Sequence, residues 1–420
     1  MKLKIPLRFY FALYYLLMMW LYHFKVKTYF YWKNIAETQD TFFDFSMSRF
    51  VIATVIFSIN LYFLGKINYK KFNFVALSLF FILLTVPSLV SYTSSNMYPT
   101  KLLVYHQTLF FCLYLLPKIK ISFDNIPVLN KKQTLILLFL IVSVGILPYI
   151  IVYGPHINLK NLLLLDVYKT RTTMSKLTNP YFGYTYSLFT RIVLPMLIIY
   201  ALELKNKLLV IIGMFYLVLF YLFGAHKTVY LGLAAVLIFY RWTYIKTIKR
   251  VLGYSIFFIL LSIVLALFAY DYLWILTFRR IHFLPALLDI SYLDFFQDNY
   301  IYWSESILKK FIEYPYDLNH TNLIGKVYFK NPNVGANNGL ISDGFMNFGT
   351  IGVMINIVLV SLYFMVLNNL KIPSRYFGLY LLVVFSFLSS STFTVFLTHG
   401  AFALLLISVF ILNDKKESAT

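Results

Sequence analysis

This chain of 420 residues has one cysteine, few acids and little charge, and each scarcity excludes something. The lone thiol, Cys112, lies inside an apolar block, so no internal disulfide can close and no cysteine spacing could ligate a metal. Only 13% of the residues are charged, where a soluble domain carries about 25%. Short alternating strands are missing too, which removes a transmembrane β-barrel. The chain contains no HExxH, Walker A, GxGxxG or CxxC pattern, so metallohydrolases, nucleotide-driven pumps and dinucleotide enzymes lose their signatures. It shows no internal repeat, low-complexity tract or soluble domain, and residues 1–420 read as one membrane domain.

Apolar residues fill the space: 60% of the chain is hydrophobic and the mean hydropathy is +0.74. They gather in blocks of roughly 16 to 24, the length that crosses about 30 Å of hydrocarbon as a helix. Twelve such blocks lie near 9–24, 46–65, 72–90, 101–117, 133–153, 180–202, 208–223, 224–240, 251–270, 341–367, 376–392 and 396–412. The expected fold is therefore all-α, a polytopic integral membrane bundle of about 12 transmembrane helices embedded in a lipid bilayer. Met1 to Arg8 followed by an apolar block resembles a signal peptide, but no A-x-A-like site follows, which favours an uncleaved first helix.

The net charge of +21 does not mark nucleic-acid binding, because Lys and Arg punctuate the apolar blocks instead of forming a patch. With the N-terminus inside, the inner segments are 1–8, 66–71, 118–132, 203–207, 241–250, 368–375 and 413–420. They hold twenty of the 37 basic residues and four of the 16 acids, the bias of cytoplasmic loops. Both termini are then cytoplasmic. The outer segments are 25–45, 154–179 and a long stretch, 271–340, which carries seven acids. A loop of that length is functional or disordered, and its aromatics (Phe278, Phe283, Tyr292, Phe295, Phe296, Tyr300, Tyr302, Trp303) argue for short packed helices. Gly224-Ala225-His226-Lys227 splits 208–240 into two helices joined by an outer turn, since one helix would bury Lys227 mid-bilayer. Ser389-Ser390-Ser391-Thr392 marks a broken or re-entrant helix in 376–412.

Polar groups at the mouth of a membrane helix are costly, which singles out the Gly/Asn-rich strip from Ala336 to Gly352. It holds one acid, Asp343, a turn before Asn347. Asp343 reads either as an N-terminal helix charge or as a catalytic carboxylate. Asp294 and Asp298, four apart, share a helix face, either solvated or holding a base. Five of the nine arginines (Arg49, Arg171, Arg191, Arg279, Arg280) lie at outer regions, against the positive-inside trend. They are loop charges, or they grip an anion: the guanidinium fork matches phosphate oxygens. Arg191 stands inside an apolar block, where it is costly without a partner. His320 lies in Asn319-His320-Thr321, formally a glycosylation sequon and a weak signal. His156, His282 and His399 form no ligand spacing.

In order and spacing these features resemble the bacterial O-antigen or oligosaccharide repeat-unit polymerases, the Wzy type, over roughly residues 160 to 355. The resemblance rests on Asp166-Val167-Tyr168-Lys169-Thr170-Arg171, on Arg191 with Pro195, and on Gly224-Ala225-His226-Lys227-Thr228. It continues with Arg279-Arg280-Ile281-His282-Phe283-Leu284-Pro285 and with Asn337-Asn338-Gly339 through Gly352. It implies a glycosyltransferase of the bacterial inner membrane that joins repeat units carried on undecaprenyl diphosphate at the outer face, with no nucleotide sugar, metal or other cofactor. The product would be an O-antigen of lipopolysaccharide, or a capsule. A flippase and a chain-length regulator would be its partners. On this resemblance Arg191, Arg279 and Arg280 would hold the diphosphate, with Lys227 and Arg171 behind them. Asn337, Asn338 and Tyr168 would contact substrate, and Asp343, or Asp294 after it, would take the hydroxyl proton. Ligases of the same chemistry carry a His in the loop before a late span, where this chain reads Asn337-Asn338. A flippase or other transporter, or an O-antigen ligase, is the alternative.

Overall fold

A computed structural model describes residues 6–26, 45–94, 98–163, 165–177, 179–226 and 228–413. Lys227, most of the outer segment 25–45 and both extreme termini lie outside the described residues. The described elements are all helical. Seven helices are long and apolar enough to cross a membrane: Met47–Leu64, Phe72–Ser94, Lys131–His156, Pro180–Glu203, Lys207–Gly224, Tyr244–Leu267 and Leu340–Asn369. Of the remaining five expected blocks, the first is helical over Leu7–Leu21 and Tyr22–Val26, and the other four form shorter helices, Thr100–Leu115, Thr228–Phe239, Ser374–Phe387 and Ala401–Leu412, below the roughly 20 residues that span a bilayer unaided.

The chain divides into two compact units. The first comprises residues 1–120, 244–368 and 387–392; the second comprises 121–243, 369–386 and 393–420. In the first, Phe72–Ser94 is the axis, buried along its whole length. Leu7–Leu21, Met47–Leu64, Thr100–Leu115 and Tyr244–Leu267 pack around it. The outer helices leave apolar stripes uncovered, Val51, Val55, Ile59 and Tyr62 on one and Phe257, Leu260 and Val264 on another. Their three-to-four-residue spacing is that of one helix face, and it suits hydrocarbon surroundings. In the second unit, Leu194–Glu203 and Lys207–Gly224 form a tight hairpin whose turn passes through Lys205 at φ 53°. Asn206 caps the second helix by accepting from the Leu209 N–H at 3.1 Å.

Five helical stretches widen among the described residues, at Tyr22–Val26, Phe81–Thr85, Phe189–Val193, Ile275–Phe283 and Ser408–Leu412. The middle three each end two residues before a proline: Pro87, Pro195 and Pro285. Proline has no N–H for the carbonyl four residues back, and its ring collides with that carbonyl. A wide turn makes room for it. As a result Arg191, Arg279 and Arg280 all lie in widened turns.

The stretch 271–340 folds as short helices, among them Ile275–Phe283, Leu284–Phe295 and His320–Phe329, with Phe278, Phe283, Tyr292 and Phe296 buried. Leu340–Asn369 is not one straight helix, as the apolar block 341–367 leads one to expect. It breaks at Phe348 (φ −145°) and Gly349 (φ 58°, ψ −139°). The backbone of 301–302 covers the break: Ile301 N–H donates to Met346 O at 2.9 Å and Tyr302 N–H to Asn347 O at 3.3 Å. Glycines make the fold-back possible, because a Cβ on Gly344 would lie 2.6 Å from Gly352 O.

Candidate functional site

Asp343 is the hub of a polar cluster inside the first unit. Gly339 N–H donates to Ser342 Oγ at 2.8 Å, which closes the first turn of the helix. Asp343 follows, 2% exposed. Its Oδ2 accepts from Asn356 Nδ2 at 3.0 Å and from the Thr392 N–H at 2.9 Å. Its Oδ1 faces Asn338 Nδ2 at 3.3 Å and Asn347 Nδ2 at 3.5 Å. Among the described residues no Lys, Arg or His forms an ion pair with it. Four neutral donors therefore satisfy the buried carboxylate.

Asn338 connects this cage to a second group. Its Oδ1 lies 3.4 Å from His320 Nε2, and His320 Nδ1 lies 2.5 Å from Glu305 Oε2. Glu305 also accepts from the His320 backbone N–H at 3.1 Å. The order Glu305, His320, Asn338, Asp343 has a fixed polarity. A carboxylate only accepts, so Asn338 turns its NH₂ to Asp343 and its carbonyl to His320. Glu305 holds the proton on Nδ1. Nε2 is the ring nitrogen left facing Asn338 Oδ1, which can accept from it when it carries a proton. A base oriented by a carboxylate is the arrangement used to activate hydroxyl nucleophiles. The His320 and Glu305 side chains are 17% and 27% exposed, so the dyad is reachable where Asp343 is not. Burial alone would raise the Glu305 carboxyl, but the hydrogen bonds and charge of His320 outweigh it and hold Glu305 below its usual range.

Beneath the cage Asp289 Oδ2 approaches His106 Nε2 at 3.8 Å, with both residues buried. Burial pushes Asp289 up to about 7, with Ser342 hydrogen bonds opposing. Asp294 is exposed and accepts from Tyr328 Oη at 2.5 Å. Asn337 is exposed beside buried Asn338. Arg279 is half-buried and Arg280 exposed, adjacent in their wide turn.

Arg171, Arg191 and Tyr168 belong to the second unit. Arg171 donates from Nε and Nη2 to Ala225 O at 3.2 and 3.0 Å. It thereby caps the helix Lys207–Gly224, whose last carbonyls are freed where Ala225 turns left-handed (φ 49°). Tyr168 is 81% exposed, with its ring 5.9 Å from that guanidinium. Arg191 Nη1 donates to Ser386 Oγ at 2.7 Å. Both guanidinium groups act on Tyr186 and His226, and neither pairs with a carboxylate among the described residues.

Within the first unit, then, the structure joins Asn338 to Asp343 and sets Arg279 beside Arg280. Sequence reasoning missed the Glu305–His320 dyad and the cage members Asn356 and Thr392. His320 and Glu305 are fifteen residues apart across irregular chain, so no helical period links them. Among the described residues no group of three or more His, Cys, Asp or Glu could hold a metal ion. Comparison with family models, with curated proteins and with solved structures finds no match to this chain.

Proposed function

We propose that the chain is a glycan polymerase acting on undecaprenyl-diphosphate-linked repeat units at the outer face of a bacterial inner membrane. On this reading the bundle crosses the bilayer twelve times, both termini are cytoplasmic and 271–340 lies outside. The observation that carries it is the Glu305–His320 dyad set against Asn338, which belongs with Asp343 to the strip on which the resemblance rests. The acceptor sugar hydroxyl gives its proton to His320 Nε2 as its oxygen forms the new glycosidic bond. The bond from the donor sugar to the diphosphate breaks, and the electron pair leaves on the diphosphate oxygen. Arg279 and Arg280, in the same unit as the dyad, are the cations proposed to meet that charge. Glu305 and Asn338 stabilise the imidazolium in between, as the orienting carboxylate does in nucleophile–histidine systems. Asp343 is fully engaged, so its proposed role is to fix Asn338; this moves the base from Asp343 to His320. A flippase and a chain-length regulator remain its proposed partners.

One observation favours an O-antigen ligase as the second reading: His320 lies in the loop before a late long helix, and its ring reaches Asn338. Reconstitution in proteoliposomes with synthetic lipid-diphosphate repeat units separates the readings. A ladder of lengthened glycans supports the polymerase, a single transfer to a lipid acceptor supports the ligase, and leaflet exchange without new bonds supports a flippase.

A further inference from the structure

The second unit carries another cationic site, built from loops that the charge count assigns to the inner side. Lys131 Nζ lies 3.5 Å from Glu203 Oε2, Arg375 Nε pairs with Glu203 Oε1, and Lys371 Nζ lies 3.5 Å from Asp124 Oδ1. These ion pairs gather the segments 118–132, 203–207 and 368–375 at one end of the unit. A cleft of about 270 Å³ opens there between 240–243 and 373–375. Arg241, exposed and in no ion pair among the described residues, forms one wall. Arg375, 25% exposed, forms the other. Lys131 and Arg375 share the single carboxylate Glu203, and Arg241 adds a further cation on the cleft wall, so the charges gathered here leave a positive surplus. The cleft's remaining polar wall is hydroxyl, from Thr243 and Ser374. Ser374 also opens the helix Ser374–Phe387, whose first N–H groups have no side-chain cap and favour an anion. Trp242, half-buried with its ring edge-on to Phe239 at 5.3 Å, supplies the amphipathic flank found at bilayer interfaces.

We propose that this cleft binds a phosphate group, held between Arg241 and Arg375 with the Ser374 and Thr243 hydroxyls around it. Phosphate oxygens suit two guanidinium forks, and a cationic pocket between helices on the inner side suits an anionic lipid headgroup. A free phosphate presents the same oxygens. The site is independent of the glycan-transfer reading.

The test is the thermal-unfolding midpoint of the full chain, purified in detergent. Short-chain phosphatidylglycerol, phosphatidylcholine of the same chain length and inorganic phosphate are titrated separately. Phosphatidylglycerol or phosphate raises the midpoint, and the phosphatidylcholine arm, which carries a phosphate but no net charge, raises it less. If only the lipid acts, the source is a headgroup; if inorganic phosphate acts equally, the source is the free ion. Arg241→Ala weakens the response roughly tenfold or more, the loss of one charged hydrogen bond, whereas Lys132→Ala, in the first turn of the helix that starts at Lys131 and outside the cleft, keeps it. Arg241 holds no ion pair, so its variant folds; a normal midpoint without ligand confirms this. An equal response in Arg241→Ala and wild type, equal responses to the two lipids with none to phosphate, or no response at all overturns the proposal.

Discussion

His320 Nδ1 lies 2.5 Å from Glu305 Oε2, and the same carboxylate oxygen accepts from the His320 backbone N–H at 3.1 Å. The carboxylate therefore fixes both the ring and the start of the helix His320–Phe329. On the proposed polymerase reading, His320→Ala is expected to abolish glycan lengthening while the chain still inserts and folds, because the ring is only partly buried. Glu305→Gln keeps the shape but no longer favours the imidazolium, and a loss of roughly 100-fold in rate fits general-base chemistry. The pH dependence separates positioning from folding. Glu305 lies below its usual range when folded, so its stabilisation is complete above its unfolded value near pH 4.3 and lost as pH falls through the folded value. Unfolding midpoints of wild type and Glu305→Gln should therefore converge below about pH 4. Full lengthening activity in His320→Ala removes the dyad from the mechanism.

Asp343→Asn tests the cage. The amide turns an NH₂ toward donors from Asn338, Asn347, Asn356 and Thr392, so at least one buried donor loses its acceptor. A loss of about 2–4 kcal/mol is expected, since each orphaned buried group costs about 1–3 kcal/mol. Asn338→Ala should cost less stability and more activity, since Asn338 Oδ1 also faces His320. Denaturant titration in detergent beside the transfer assay reads both. A fully stable Asp343→Asn variant shows the cage to be dispensable.

The helical membrane class was legible because hydrophobicity and charge placement are local properties. The break between Lys207–Gly224 and Thr228–Phe239 was equally visible in Gly224 and its polar neighbours. The importance of 336–352 could be read from its glycines and amides, although the backbone reversal at Phe348–Gly349 could not. It depends on residues 301–302 supplying N–H donors from some forty-five positions away. The dyad was illegible for the same reason, since Glu305 and His320 meet only after 271–340 has folded. Arg171 and Arg191 stand out in the sequence as cations at outer regions. That Arg171 caps the turn at Ala225 follows from a left-handed residue that composition does not announce.

Gly349→Ala should be severely destabilising. At φ 58° and ψ −139° the backbone suits glycine alone. A Cβ would also lie 2.5 Å from Tyr300 Oη and 2.7 Å from Cζ. A cost of about 2–4 kcal/mol is expected from strain and overlap together. Tyr300→Phe removes the hydroxyl but neither the ring nor the strain, so the double variant should recover only a small part. Near-complete rescue by Tyr300→Phe means that the overlap, not the backbone, sets the cost.

Asp289 gives a pH dependence of opposite sign to Glu305. Its folded value is about 7, raised from 3.8 by burial, with His106 at 3.8 Å and Ser342, Tyr98 and Tyr292 around it. The unfolded chain releases this proton near pH 4 and the folded chain near pH 7. The associated stability is therefore complete below about pH 4 and declines as pH rises, by up to about 1.4 kcal/mol per pH unit until the folded value is passed. Asn mimics the protonated carboxyl, so Asp289→Asn should match wild type near pH 4, exceed it increasingly up to about pH 7 and keep a level advantage above that. Unfolding midpoints of the two proteins in the same detergent, taken at each pH unit, measure the gap. A gap that stays constant from pH 4 to 8 means that Asp289 titrates alike in both states and that its burial is relieved by a partner.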